Sequence, residues 1–484
     1  MTDPLGSLHD TRIRHPWKGG GAVNRKRTYD AIIIGAGQAG GPLAGALAAA
    51  GRRVALVERS HVGGTCVNEG CTPTKTMIAS ARASYAAVQA TALGIHVGPV
   101  SVDMKAVRDR KRRMVKSFRE GSLRRVEEAD GIDLIRGTGR FLDRRRVEVV
   151  AERMRNLQLT GTSIFINTGL RPRIPNLDGL ESVPFLDSTS IMELDEVPEH
   201  LLILGGGYVG VEFAQLFRRL GSRVTLIHRS RQILRHEDAD VASEVMSILG
   251  DDGIDILLDT SPRRVNGAPA GRVELSVDGP DGKQTLRGSH LLVAVGRVPN
   301  TEALDLAAAG IETDRRGYIR TNDRLETTVE GIYALGDVKG GPAFTHIAYD
   351  DYRIVRANLL DGKGASITNR LVPYTVYMDP QLGGIGLTER EAEEAGRPIR
   401  VAKIPMTSVA RALEIGEPRG LIKALVDPQT DRILGAAVLG IEGGELMAVL
   451  QTAMIGDIRH TALRDGVFAH PSIAESLNTL FSTL

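Results

Sequence analysis

Only two cysteines, one tryptophan and 4% aromatic residues occur among the 484 residues of this chain. Two cysteines are too few for the disulfide framework that steadies small secreted proteins, so a covalently stapled fold is excluded. An excess of either charge is also missing: 61 Lys and Arg face 59 Asp and Glu, a net charge of +2. That balance gives no electrostatic reason to expect nucleic acid or a membrane surface as a partner. Long apolar runs are scarce, and no low-complexity tract occurs. The uncharged stretch from Ala31 to Gly51 is long enough to suggest a membrane span, but it holds six glycines together with Gln38 and Pro42. It reads as strand, glycine turn and small-residue helix instead. The first 21 residues are polar, with a Gly19-Gly20-Gly21 run and no apolar centre, and so make no secretory signal. Residues 1–28 are expected to form a flexible or loosely docked N-terminal arm, and a cytoplasmic enzyme is the default.

What is present is length and a repeated unit. A chain of 484 residues exceeds one hydrophobic core and predicts about three domains. The strand Ala31–Ile34 leads into Gly35-x-Gly37-x-x-Gly40, an alanine-rich helix, and a second strand, Val54–Val57, that ends at Glu58. The same order returns with Leu201–Leu204, Gly205-x-Gly207-x-x-Gly210, a helix to Leu220 and the strand Val224–Ile227. Glycines at this spacing allow a tight turn and close backbone approach to a pyrophosphate, and the helix N-terminus supplies free N–H groups to the phosphates. One such turn alone is weak; two, each between strand and helix, predict two bound dinucleotides and electron transfer between them. The fold class is α/β: two Rossmann-like dinucleotide-binding domains plus a C-terminal α+β dimerisation domain. Prolines 172, 175, 184 and 198 separate the units, the chain leaves the second near Gly296 to Asn300, and the polar stretch Asp361 to Asn369 reads as a linker. The basic run Arg108 to Arg113, on a predicted helix, reads as a solvated face.

An acidic residue about 20 positions after the first glycine normally accepts hydrogen bonds from an adenosine ribose. In the first unit that residue is Glu58, 23 positions after Gly35; in the second, the same offset lands on His228, followed by Arg229. An arginine in place of a carboxylate suits a ribose 2′-phosphate. The first unit is therefore expected to hold an adenine dinucleotide with free ribose hydroxyls, and the second to prefer NADPH over NADH.

Both cysteines lie in one window, Gly63-Gly-Thr-Cys66-Val-Asn-Glu-Gly-Cys71-Thr-Pro-Thr-Lys75, after which a helix is expected to begin. Four intervening residues are not the spacing of a zinc knuckle, and no second pair completes a tetrahedral site, so no metal site is expected. In a regular helix residues five apart rise about 7.5 Å, beyond a normal disulfide, so a bond here needs a distorted turn, which Gly70 is placed to allow. A helix N-terminus and Lys75 both favour a reactive thiolate. The bland alternative is two buried, unreactive thiols.

These segments, with Asn167-Thr-Gly169, Gly296-Arg-Val-Pro-Asn300, Tyr333-Ala-Leu-Gly-Asp337 and His470-Pro471 followed by Glu475, carry a family likeness. From about Tyr29 to its C-terminus the chain resembles the flavoprotein pyridine nucleotide–disulfide oxidoreductases, the group of glutathione reductase, dihydrolipoamide dehydrogenase and mercuric reductase. The likeness implies an FAD domain over 29–176, an NAD(P)H domain over 177–296, a central part over 297–368 completing the FAD domain, and a dimerisation domain over 369–484. It implies FAD held by Gly35, Gly37, Gly40, Glu58, Gly64, Thr65, Lys75, Thr138, Gly139, Thr168, Gly169, Gly336, Asp337 and Thr345. The pyridine nucleotide falls to Gly205, Gly207, Tyr208, Gly210, Glu212, Arg229, Arg235 and Gly296, with Tyr208 as an aromatic gate over the flavin. By the same likeness Cys71 is the flavin-side thiolate, Cys66 the exposed interchange thiol, and Lys75 pairs with Glu212 beside the flavin. His470, held by Glu475, reaches the disulfide of the other subunit, so the active unit is a homodimer. The chain ends Leu480-Phe-Ser-Thr-Leu484 without the cysteine pair usual in mercuric reductases, and so resembles the mercuric reductase-like branch that lacks it. The expected oxidant is a disulfide, a metal ion or another small molecule. The rival expectations are an NADH-linked lipoamide dehydrogenase and a redox-sensing flavoprotein that acts through a partner.

Overall fold

The computed structural model describes residues 26–151 and 154–484. Most of the expected N-terminal arm lies outside the described residues, but its last three positions belong to the first strand, β1 (Lys26–Ile34), where Lys26 already pairs with Gln158. The Ala31–Ile34 end of β1 is buried throughout, as befits a parallel strand covered on both faces. β2 (Val54–Glu58) and β3 (Ile132–Arg136) lie in parallel on one side of it, and β6 (Met154–Ile166) on the other. Two antiparallel strands, β4 (Thr138–Phe141) and β5 (Arg146–Ala151), extend the sheet to the order β3-β2-β1-β6-β5-β4. Helix α1 (Gly40–Ala49) makes the crossover from β1 to β2, the length of connection that a parallel pair requires. Helices α2 (Gly64–Asn68), α3 (Cys71–Gln89) and α4 (Met104–Glu127) fill the connection to β3. Helix α3 thus starts at Cys71 itself, not after Lys75.

β7 (Leu170–Pro172) leads out to a second parallel sheet on the same plan. There β8 (His200–Leu204), α5 (Tyr208–Arg219), β9 (Arg223–Ile227), α6 (Ala239–Asp251), β10 (Ile254–Leu257) and β14 (His290–Val293) assemble in the strand order β10-β9-β8-β14. The antiparallel trio β11 (Ser261–Gly267), β12 (Val273–Gly279) and β13 (Gly282–Gly288) shares a core with it. The chain returns through β15 (Arg297–Pro299), antiparallel to β7, and the single-turn helix α7 (Leu306–Ala309). It re-enters the first sheet as β16 (Ile332–Ala334), parallel beside β6, and continues into α8 (Thr345–Asp361).

The last region is an antiparallel sheet of β17 (Tyr374–Val376), β18 (Gln381–Gly386), β19 (Arg400–Pro405), β20 (Leu421–Val426) and β21 (Ile433–Gly440), ordered β17-β18-β21-β20-β19. Around it lie α9 (Glu389–Glu394), α10 (Ala410–Ile415), α11 (Gly443–Ile455), α12 (His460–Arg464) and α13 (Ser476–Phe481). Helix α13 buries Leu477, Leu480 and Phe481, three residues at helical spacing, completely against this sheet. Among the described residues no helix is long and apolar enough to cross a membrane.

The basic run on α4 is only partly a solvated face: Arg110, Arg112 and Arg113 are exposed, but the run is also braced by ion pairs. Lys111 is 2% exposed and its ammonium is paired with Glu193, which Arg112 also grips at 2.7 Å. Arg108 reaches Asp195 at 3.2 Å, and Arg110 donates to the Thr76 carbonyl at 2.6 Å. The run braces α3 and the segment before β8, and the carboxylates that neutralise it come from far along the chain. A second buried cation, Lys423 on β20, joins Asp238, Asp240 and Glu389, and so ties the last sheet to the start of α6.

Candidate active site

One cleft of about 1070 Å³ runs between the first sheet, the head of α5 and the start of the last region. Its floor is the first glycine turn. A Cβ at Gly40 would sit 2.1 Å from the Gly35 carbonyl oxygen, and one at Gly210 would sit 1.9 Å from that of Gly205, so in both turns only glycine lets the helix start against the strand end. Asn167 locks the first turn: its carboxamide accepts from Gly40 N at 2.8 Å and donates to the Leu335 carbonyl at 3.2 Å. Glu58, at the end of β2, accepts from Ala36 N and Ser60 N, both at 2.8 Å, and lines the cleft. Gly35, Gly37, Thr138, Gly139, Thr168 and Gly169 line the same end, while Gly64, Thr65 and Thr345 line the other. Gly40 and Gly336 stand behind the wall. Among the described residues the buried Thr168 hydroxyl has no partner. Asp337 also faces the cleft, and burial raises its carboxyl pKa to about 6, opposed by Arg297 and Lys339. A long cleft with a pyrophosphate-sized glycine cradle, an acidic residue at the end of β2 and an unpartnered hydroxyl suits a flavin adenine dinucleotide.

The two cysteines meet where α2 stops and α3 starts. A Cβ at Gly70 would come within 2.9 Å of the Thr65 carbonyl oxygen, so the lack of a side chain there permits the tight junction. Both cysteines are free thiols in this structure, and both line the cleft. Cys71 is exposed into it and Cys66 is half-buried, the reverse of the exposure expected for an interchange thiol. The Cys71 sulfur lies 3.4 Å from Thr345 Oγ1, at the head of α8. The hydrogen bond from Cys66, with those of Thr345 and the charge of Lys75, lowers the Cys71 pKa to about 5. The Cys66 thiol is pushed up, first by its bond to Cys71 and then by burial. One proton is therefore held on Cys66, and the negative charge on Cys71. Lys75, one turn into α3, meets Glu212 of α5 with its ammonium 2.7 Å from one carboxylate oxygen and 3.0 Å from the other. Glu212 also accepts from Tyr377 N at 2.8 Å, and the Lys75 ammonium lies 4.8 Å from the centre of the Tyr377 ring.

The second glycine turn repeats the first with one change. Where Ala36 N donates to Glu58, Gly206 N donates to His228 Nδ1 at 3.1 Å. That bond requires the neutral ring, and burial with the charge of Arg229 depresses the His228 pKa in agreement. A neutral imidazole thus stands where the first unit has the Glu58 carboxylate. Arg229 and Arg235 stand exposed on the loop after β9. Gly205, Gly207, Gly210 and Gly296 shape this turn and the exit from the unit, outside the cleft, whereas Tyr208 and Glu212 face into it.

His470 is not brought to the cysteines within one protomer. It stands exposed, its Nδ1 donating to Glu475 at 2.9 Å, and neither residue lines the cleft. Residues the sequence reading did not assign also line the cleft. Arg297 is half-buried near Asp337, and Tyr374 and Tyr377 arrive from the last region. Arg297 sits inside the Gly296–Asn300 motif and was within reach; the tyrosines carry no local signal, because the carboxylates they bind, Glu237 and Glu212, lie 137 and 165 positions away.

Residues 29–351 match the family model described as pyridine nucleotide-disulphide oxidoreductase, and residues 372–481 match that family's dimerisation domain. The chain is 40% identical to the Escherichia coli protein described as probable pyridine nucleotide-disulfide oxidoreductase RclA, over 94% of this chain and 99% of that one. It is 33% identical to a Staphylococcus aureus mercuric reductase, over 94% of this chain and 82% of the relative. The solved Cu(II) complex of the HOCl-induced flavoprotein disulfide reductase RclA from Escherichia coli superposes with a TM-score of 0.86 at 39% identity, covering 95% of this chain and all of that one.

Proposed function

This chain belongs to the pyridine nucleotide-disulphide oxidoreductase family, and we propose that Cys66 and Cys71 are the redox pair through which electrons from NADPH reach a thiophilic oxidant. It is an FAD-dependent oxidoreductase that uses a pyridine nucleotide and carries the family's dimerisation domain. When bound, FAD supplies two-electron transfer between the nucleotide and the cysteine pair. The protein's own groups do the rest. Lys75, fixed by Glu212, sets a positive charge at the inner end of the cleft. Cys71 keeps its sulfur unprotonated beside Thr345, while Cys66 holds the remaining proton; the family likeness, not its exposure, makes Cys66 the sulfur offered to the substrate. As the oxidant takes two electrons (one disulfide, or two copper(II) ions at one electron each), a bond forms between the two sulfurs and the Cys66 proton is released. His470, steadied by Glu475 and displayed on the surface, accepts that proton from a second subunit.

The asymmetric thiol pair beside the Lys75–Glu212 ion pair carries this reading. Preference for NADPH rests on the neutral His228 and on Arg229 beside it, which remove a negative charge and supply a positive one at the ribose. For the oxidant, the Cu(II) complex of the Escherichia coli relative makes copper(II) the first to test, with small disulfides beside it. Thiolates favour copper in its reduced state.

Anaerobic titration of the FAD-loaded protein with NADPH should bring up the long-wavelength absorbance of a thiolate beside the flavin, with NADH less effective. Bleaching without that band would take the cysteine pair out of the electron path. Cys66→Ser should keep reduction by NADPH and lose turnover of copper(II) or disulfide.

A further inference from the structure

Tyr208 is the first residue of α5 and stands one turn before Glu212 on the same helix face; both line the cleft. A nucleotide bound at the second glycine turn and directed at Lys75 and Glu212 must pass its ring. That ring is not free. The Tyr208 hydroxyl donates to Glu237 Oε1 at 3.0 Å, and the Tyr374 hydroxyl lies 2.8 Å from each oxygen of the same carboxylate. Glu237 is 2% exposed and makes no ion pair among the described residues, so these two phenols are its side-chain partners. A buried carboxylate without a cation is costly unless hydrogen bonds hold it. The rings complete the arrangement: Tyr208 stacks on Tyr374 at 5.6 Å, and Phe344 stacks on Tyr374 at 6.0 Å with 5° between the planes. Space for Tyr374 exists because position 384 is glycine; a Cβ there would lie 2.3 Å from the Tyr374 hydroxyl oxygen. Three parts of the chain, the head of α5, the loop after β9 and β17, thus converge on one carboxylate.

We propose that Glu237 is a positioning residue for the pyridine nucleotide: by holding the hydroxyls of Tyr208 and Tyr374 together, it fixes the Tyr208 ring against Tyr374 and keeps the passage to Lys75 and Glu212 open at one width. Tyr208, which the family likeness makes an aromatic gate over the flavin, is then a tethered wall of the nucleotide site. The inference rests on the reading of the second glycine turn as the pyridine nucleotide site. Without the tether the phenol ring samples other rotamers, and the nucleotide must immobilise it on binding.

The test is calorimetric titration of FAD-loaded protein with oxidised NADP⁺, in the parent and in Tyr208→Phe, Tyr374→Phe and Glu237→Gln. The phenylalanine variants keep each ring and remove only its tether, which protects the test if the buried Glu237→Gln change disturbs folding. Immobilising one side chain predicts a Kd raised roughly two- to tenfold in Tyr208→Phe, with a smaller rise in the same direction in Tyr374→Phe. Unchanged or tighter binding in both phenylalanine variants, or a lowered melting temperature with no change in Kd, overturns the proposal. Failure of the parent protein to bind NADP⁺ or NAD⁺ at all would instead overturn the reading of the nucleotide site on which it rests.

Discussion

An ordinary cysteine is only a few per cent thiolate at neutral pH; Cys71 is almost wholly so. Its pKa is lowered to about 5, first by the hydrogen bond from Cys66 and then by Thr345 and Lys75. The sign fixes the pH window: the thiolate persists from neutral pH downward and is lost only as pH falls through about 5. Iodoacetamide labelling of the dithionite-reduced protein should therefore hold its neutral rate down to that point. A rate that climbs only above about pH 8, as for a free cysteine, would dissolve the shared-proton arrangement. Much at this scale was readable in the sequence, because each glycine turn, Glu58 and the cysteine window act within a few neighbouring residues or at a fixed offset. Glu237 was not, since its tyrosine Tyr374 lies 137 positions away and nothing local marks either one.

Helix α4 shows how far an element's own sequence goes. Its run of basic residues predicts a helix with a wet face, and the helix is there with Arg110, Arg112 and Arg113 exposed; Lys111 and Arg108 are not, because Glu193 and Asp195 arrive from 82 or more positions further on to pair with them. The buried Lys111 makes the contrast testable. Glu193→Ala strands a buried ammonium and should cost about 1–3 kcal/mol, the lower end reflecting a half-exposed carboxylate. Lys111→Met, which removes the charge and keeps the stem, should come near to neutral. Urea midpoints of the two variants check this; equal losses would mean that the stem packing, not the charge pairing, holds the brace. The parallel sheets were legible for the opposite reason: Ala31–Ile34 and Leu201–Leu204 are short, wholly apolar and followed by glycine, a signature that needs no distant residue.

At the scale of the whole molecule, the cleft gathers both cysteines, Lys75 and Glu212, while the proposed proton carrier and its partner stand outside it. His470 and Glu475 form their pair on the open surface, away from the thiols. If a second copy of the chain delivers His470, two defective variants should rescue one another. Unfolding and refolding Cys66→Ser together with His470→Ala subunits should restore about a quarter of the parental turnover, because half of randomly paired dimers carry one intact site of two. No recovery above the two variants alone would place the proton carrier within the protomer. The dimer itself could not be traced residue by residue from the sequence, since the surfaces that meet are assembled by the fold.

The chain leaves the first sheet through β7 and returns through β15, two strands lying side by side, so the whole second unit is threaded in at a single doorway. The cost falls on biosynthesis. On the ribosome, Ile164 and Ile166 of β6 emerge well before Ile332 and Ala334, the residues beside which they finally lie. Until the intervening unit has been made, that end of β6 is an apolar strand edge waiting for its neighbour, the kind of surface that nascent chains pair wrongly. Slow translation or a crowded cell should therefore threaten this protein at one sheet edge, before its cofactor or its second subunit has any part to play.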